Sequence, residues 1–137
     1  MGAGERGEPP ATIVTLSGDV HHAYLSQVAY PRNAGVRSAV YQAVCSPLRN
    51  PLDARERRVI EFMTTRPAFA ITRALSLAAG VPDPPVRWRM CEGGPWFDNQ
   101  VGTLHVRGRE LTVELEKAVS DGNGGASLKT VLQRRVA

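Results

Sequence analysis

Residues 12–24, Thr12-Ile13-Val14-Thr15-Leu16-Ser17-Gly18-Asp19-Val20-His21-His22-Ala23-Tyr24, decide how this chain is read. Ile13 to Leu16 is a short apolar run rich in β-branched side chains, which predicts a buried strand. Ser17-Gly18 ends it, a pair that lets the backbone turn tightly. Asp19, His21 and His22 follow at once, and a carboxylate with two imidazoles on the loop leaving a rigid strand is a common presentation of metal ligands. On an extended segment, alternation sends Asp19 and His21 to one side and His22 elsewhere. Oxygen and imidazole donors together suit iron, zinc, manganese or cobalt, and a further carboxylate would suit calcium. A bare Asp-x-His is equally the pattern of a surface turn in which the carboxylate caps backbone amides.

Outward from this stretch, composition sets limits. At 137 residues the chain is one domain or less. No apolar run approaches the roughly 20 residues of a membrane span. The Gly, Glu, Arg and Pro of residues 1–10 lack the apolar centre of a secretory signal, so as written the expected location is the cytoplasm, with no membrane partner. The net charge of +4 is spread along the chain without basic runs interleaved with aromatics, so nucleic acid is not an expected partner. Cys45 and Cys91 lie far apart with no Cys-x-x-Cys spacing, which predicts buried free thiols.

Residues 1–11 read as a flexible lead-in. A second strand is expected over about 24–30, a turn at Pro31-Arg32-Asn33-Ala34-Gly35, and a third strand over 38–45. Asn50-Pro51-Leu52-Asp53 reads as a helix start, with Asn50 as N-cap and Pro51 at the first helical position. The helix passes through Arg55, Arg58, Val59, Phe62 and Met63, and Pro67 ends it or begins another. Ala68, Ile71, Leu75 and Ala78 then repeat at helical spacing, with Gly80 as C-terminal cap, giving a helical insert at about 51–79. The last third is β in character. A strand is expected over 87–91, then a hairpin over 101–116 turning at Arg107-Gly108-Arg109, with Leu104 and Val106 on one face and Leu111, Val113 and Leu115 on one face. Ser120-Asp121-Gly122-Asn123-Gly124-Gly125-Ala126 reads as disordered, and 119–137 as a flexible tail.

Residues 17–24, together with Val40-Tyr41-Gln42-Ala43-Val44-Cys45-Ser46-Pro47 and Trp96-Phe97-Asp98-Asn99-Gln100-Val101-Gly102-Thr103-Leu104, resemble the alkaline phosphatase D family, the PhoD-like phosphatases of the calcineurin-like metallophosphoesterases. The resemblance spans about 12–118, and residues 17–24 look like that family's last metal-binding motif. It implies an α/β fold in which this chain is the C-terminal part of a four-layer α/β/β/α sandwich. It also implies that Asp19 and His21 are metal ligands, with Gly18 allowing the turn. His22 and Tyr24 match the motif's downstream neighbours, beside the centre or on the substrate rim.

Members hydrolyse phosphate mono- or diesters through a binuclear centre of divalent or trivalent ions, for which iron, calcium, zinc and manganese are all candidates. Paired cations neutralise the phosphate and lower the pKa of bound water. The family's earlier ligand motifs are not found: the one Gly-Asp is Gly18-Asp19 itself, and Gly122-Asn123-Gly124 has no histidine. The expectation is therefore one ligand loop of such a centre, inactive alone. The alternative is a non-catalytic interaction module that needs an upstream segment, another protein or its own copy to complete its fold.

Other candidates read as structural. His105 falls within the hairpin strand, as a packed or exposed strand residue. Cys45 ends a strand with nothing obvious to activate it. Glu92-Gly93-Gly94-Pro95-Trp96 lacks the Lys-Ser/Thr and following helix of a phosphate loop and reads as a turn beside a core tryptophan. Arg55, Arg57, Arg58, Arg66 and Arg73, interspersed with Glu56 and Glu61, read as a solvated helix face.

Overall fold

A computed structural model describes residues 9–18, 20–46 and 52–137. It is mixed α/β, mostly strand: β1 (Thr12–Ser17), β2 (Tyr24–Ala29), β3 (Ala39–Val44), α1 (Ala54–Met63), α2 (Arg66–Ala78), β4 (Arg87–Met90), β5 (Gln100–Arg107), β6 (Glu110–Ser120) and β7 (Ala126–Arg135). The chain divides into two compact units, Met1–Pro51 with Val86–Ala137, and Leu52–Pro85. No described helix is long and apolar enough to cross a membrane.

The first unit holds two sheets, ordered β1-β3-β2-β4 and β5-β6-β7. β1 runs parallel to β3, from Thr12↔Ala39 to Ser17↔Val44, whereas β2 is antiparallel to both β3 and β4. The chain leaving β1 therefore crosses the C-terminal end of β3 before it descends as β2. Leu25, Tyr41, Ala43 and Cys91 from the first sheet's side form one buried cluster with Val113 and Val136 from the second, flanked by Val14, Ala39, Leu111 and Leu132. The Thr12 hydroxyl, donating to the Val136 carbonyl at 2.7 Å, ties the two sheets together at one margin.

The hairpin forms as its alternation requires. Leu104 faces Val113 and Val106 faces Leu111, so the apolar side chains share one face, buried at Val113 and open toward Val106 at the turn end, where Gly108 turns the chain at φ 61°. The expected flexible tail is not observed. β6 continues to Ser120 and β7 pairs with it from Ser120↔Ala126 to Thr112↔Arg135, placing Val136 in the core. Composition misled here because the Gly-rich run is a connecting turn. Asp121 Oδ1 accepts from the N–H groups of Asn123 and Gly125, both at 2.9 Å, so the side chain supplies the order that glycine lacks. The lead-in is also tied in at its end, where Ala39 N–H donates to Ala11 O at 2.9 Å; residues 1–8 lie outside the described residues.

The outer face of the second sheet is solvated. Glu114 accepts from His105 Nε2 at 2.6 Å and from the Thr130 hydroxyl at 3.1 Å, so one carboxylate on the central strand joins both neighbours. His105 is thus an exposed strand residue, as expected, on a face where an open groove of about 310 Å³ runs past Arg107, Glu110, Thr112 and Gln133. The hydrogen bond from His105, then that from Thr130, holds the Glu114 carboxyl below its ordinary range. A depressed carboxylate stabilises the fold above its unfolded pKa of about 4.3, and that contribution disappears as pH falls through the folded value. Glu114→Gln is expected to flatten the acid limb of stability. The check is the urea midpoint followed from neutral pH into the acid range, where an unchanged slope refutes the assignment.

In the helical unit, α1 starts at Ala54 rather than at Pro51. Asp53, extended at φ −61° and ψ 153°, is the N-cap, and its N–H donates to the Glu56 carboxylate at 3.2 Å, the reciprocal arm of a capping box. Asn50 and Pro51, the expected cap and first residue, lie outside the described residues. Pro67 begins a second helix, as one of the two expectations had it. The Thr65 hydroxyl accepts from Ala68 N–H at 3.4 Å, and Pro67 sits in the first turn, where its missing N–H costs nothing. At the far end Gly80 N–H donates to Leu77 O and Val81 N–H to Ser76 O, a Schellman closure. The Ala68, Ile71, Leu75 face is formed but not covered: Ala68 is buried, whereas Leu75 is 64% exposed.

Candidate functional site

The loop after β1 crosses the ends of two parallel strands, a position where the sheet holds the loop's base and leaves its tip open. Cys45 N–H donates to Ser17 O at 3.1 Å, extending the β1/β3 ladder to the point of departure. Gly18 is not strained there, since a Cβ on it would meet Cys45 O at an ordinary 3.4 Å. The left-handed residue is His21, at φ 57°. The segment is thus not extended, and the alternation that set Asp19 and His21 on one side does not apply. Asp19 itself lies outside the described residues. A non-glycine residue in this region costs about 1–2 kcal/mol and persists where its surroundings hold it.

His22 is held from three directions. Its Nδ1 lies 2.5 Å from Val20 O, so that nitrogen carries the proton and donates. The ring stacks on Tyr24 with centroids 5.4 Å apart and tilts against Phe97 at 6.0 Å. A proton on Nδ1 leaves the lone pair on Nε2, the tautomer that imidazole ligands adopt when a backbone carbonyl orients them.

The three stretches that carried the resemblance come together here. Ala23 and Trp96 form an isolated antiparallel bridge, with N–H···O distances of 2.8 and 2.9 Å, which joins residues 17–24 to residues 96–104. Trp96 is half-buried, and its ring lies on the preceding turn. A Cβ on Gly93, at φ 90°, would sit 2.8 Å from Cζ2, so only glycine fits. A Cβ on Gly102 would stand 3.1 Å from Cys45 Cβ and 3.4 Å from its sulfur, so the glycine lets β5 close on the end of β3 and brings in residues 40–46. The non-glycine residues with positive φ among those described are His21 and Asp98, two positions before Ala23 and two after Trp96. Asp98 pairs with Lys117 at 2.8 Å.

Sequence reading passed over three of these side chains. Phe97 is buried against His22. Asp98 is an acid at φ 75°, a conformation Asp tolerates better than most residues. Gln100 is 4% exposed with neither amide atom hydrogen-bonded, an uncommon arrangement for a buried polar group. A glutamine opening an otherwise inward-facing alternation with Gly102 and Leu104 was the available signal.

The thiols are free, as expected, and Cys91 is buried, whereas Cys45 is only half-buried. Burial raises the pKa of Cys45 and, more than the opposing effect of Arg134, that of Cys91, so neither is activated. Among the described residues no three His, Cys, Asp or Glu side chains gather as a metal site. Comparison with protein-family models, with curated proteins and with solved structures returns no match.

Proposed function

We propose that this chain supplies the closing ligand loop of an alkaline phosphatase D-like metallophosphoesterase, acting on phosphate mono- or diesters. Asp19 and His21 are its metal ligands and His22 lies beside them. A further polypeptide segment contributes the remaining ligands and the rest of an α/β/β/α sandwich. The observation that carries this reading is the convergence of the described residues of 17–24, 40–46 and 96–104, remote in sequence, around the Ala23–Trp96 bridge, with His21 and Asp98 both left-handed on its flanks. Strain of that kind collects at functional loops.

The donor chemistry fits a hard or borderline cation. His22 has its tautomer set by Val20 O, and His21 and Asp19 add imidazole and carboxylate. Asp19 and His21 would supply only part of a coordination shell, the share expected of one loop of a shared centre. When bound, the metal pair supplies charge neutralisation at the phosphate and a water of lowered pKa. This chain's own task is to orient: Val20 O holds the His22 proton on Nδ1, Tyr24 and Phe97 fix the ring plane, and the bridge to Trp96 holds the loop over the strand ends.

The test is metal affinity and content of the purified chain against Asp19→Ala/His21→Ala, with hydrolysis of a generic phosphate monoester and diester measured alongside. Wild type is expected to bind manganese or zinc weakly and the double variant at least about tenfold more weakly, with negligible hydrolysis by either. Equal metal binding by the two proteins sinks the ligand assignment. Robust hydrolysis by the wild type alone sinks the shared centre instead.

A second reading, an interaction module that needs a partner and performs no chemistry itself, is favoured by the helical unit. Val59, Phe62, Met63, Phe69, Ile71 and Leu75 are all at least half exposed there, and Ala68 alone is buried in its two helices. Amphipathic helices normally spend that face on packing.

A further inference from the structure

β1, β4, β5 and β7 are the outer strands of the two sheets, and their edges differ in chemistry. β4 places Arg87 and Arg89 within four residues. β5 carries His105 and Arg107, and β7 carries Lys129, Arg134 and Arg135 with a register irregularity where it pairs with β6. Charges and irregularities of this kind discourage pairing with another chain. β1 has none of them: Thr12–Ser17 contains no ionisable side chain, no proline and no glycine. Such a six-residue, uncharged, β-branched run is well suited to strand pairing.

Among the described residues the edge is also open. Ala39 N–H donates to Ala11 O and Cys45 N–H to Ser17 O, so the odd-numbered residues of β1 turn their peptide groups toward β3. Thr12, Val14 and Leu16 consequently direct theirs away from it, to a side on which no described strand lies. Leu16 and Ile13, on opposite faces, are 64% and 42% exposed, whereas Thr12 and Val14 reach toward the second sheet, so the strand is anchored at its start and exposed toward its end.

We propose that β1 is the contact through which two copies of this chain associate, strand against strand, antiparallel about a two-fold axis at Val14. In that register Val14 meets Val14, Thr12 meets Leu16 and Ile13 meets Thr15, each outward residue exchanging its N–H and carbonyl with the one opposite. Lack of charge is what permits it. A two-fold axis sets the strand against its own copy, so an ionised side chain here would be brought close to its like, whereas β4 and β7 would each appose arginines. The pairing consumes the edge and closes at two copies.

The inference stands apart from the phosphoesterase reading, because its test reads mass alone. Sedimentation velocity of the full chain over a dilution series is expected to show a dimer that dissociates on dilution. Leu16→Lys, at an exposed position, and Val14→Pro, whose lost N–H points outward, are each expected to weaken association at least about tenfold. Circular dichroism should be unchanged in the lysine variant. A wild type that stays monomeric at high concentration overturns the proposal. So does a dimer indifferent to both substitutions, or an open-ended assembly, which a closed edge pair does not produce.

Discussion

Deletion of residues 126–137 is expected to abolish cooperative folding of the two-sheet unit. β7 lines nearly all of β6, from Ser120↔Ala126 to Thr112↔Arg135, and its removal exposes that ladder edge. The deletion also removes Val136, 7% exposed and packed with Leu25, Tyr41 and Val113, and Leu132 at the margin of the same cluster. Thr12 loses the carbonyl its hydroxyl binds, and Leu111 loses its hydrogen bonds with Val136 and Ala137. Burial of one valine is worth about 1.5–3 kcal/mol and each hydrogen bond lost about 1 kcal/mol. Summed over a strand, that exceeds the total stability of a typical domain, about 5–15 kcal/mol. Urea unfolding followed by far-UV circular dichroism is the check. A truncated chain with the wild-type midpoint would show residues 119–137 to be the flexible appendage that their composition suggests.

Leu25→Ala is expected to be the most damaging single truncation in the first sheet. Leu25 is fully buried, and it lies opposite Ala43 and beside Cys91, both small. Neighbours of that size have little reach with which to fill the space left behind, so the cavity persists and the cost lies toward the upper part of the usual range, about 3–5 kcal/mol. For a chain of this length that lowers Tm by roughly 10 °C or more. The effect extends to the candidate site, because Leu25 O accepts the Cys91 N–H at 2.7 Å where the chain enters the Gly93-Trp96 turn. Calorimetry should place Leu25→Ala far below Leu16→Ala, whose side chain is already in solvent. Similar values for the two would mean that the core lies elsewhere.

Periodicity makes most elements legible in the sequence. The β5–β6 hairpin shows clean alternation over two strands and a glycine at its turn, and the observed register pairs the side chains expected to share a face. The helices were legible through caps, but the cap was placed too early. Asn50-Pro51 was the start expected, whereas α1 is capped by Asp53; the capping-box spacing of Asp53 and Glu56, an acid at the third helical position, was the overlooked signal. β7 was hidden for a different reason. The register shift opposite Leu115/Glu116 skips Val131, which breaks the two-residue period of β7 itself, and the Gly-rich run before β7 resembles a linker unless the Asp121 turn is counted.

For the candidate site, residue types were readable and conformation was not. The histidines stood out as a cluster, yet the argument from alternation needed an extended segment, and His21 is left-handed. The roles of Phe97, Asp98 and Trp96 depend on a bridge between residues more than seventy positions apart in the chain.

What the sequence by itself determined is local. Short-range chemistry, in β-branched runs, caps and a turn glycine, sets mixed α/β character, the strand and helix positions within a few residues, and the donor types on the loop after β1. Tertiary structure alone decided the parallel pairing of β1 with β3, the closure of β7 onto β6, and the meeting of residues 17–24 with 96–104. It also decided which apolar surfaces are buried: Leu25 and Val136 are covered, whereas Leu16 and Leu75 are not. The physical reason is that hydrophobicity and propensity are properties of a residue and its near neighbours. Which partner covers a face depends on loop closures across the whole chain, and no local pattern encodes those.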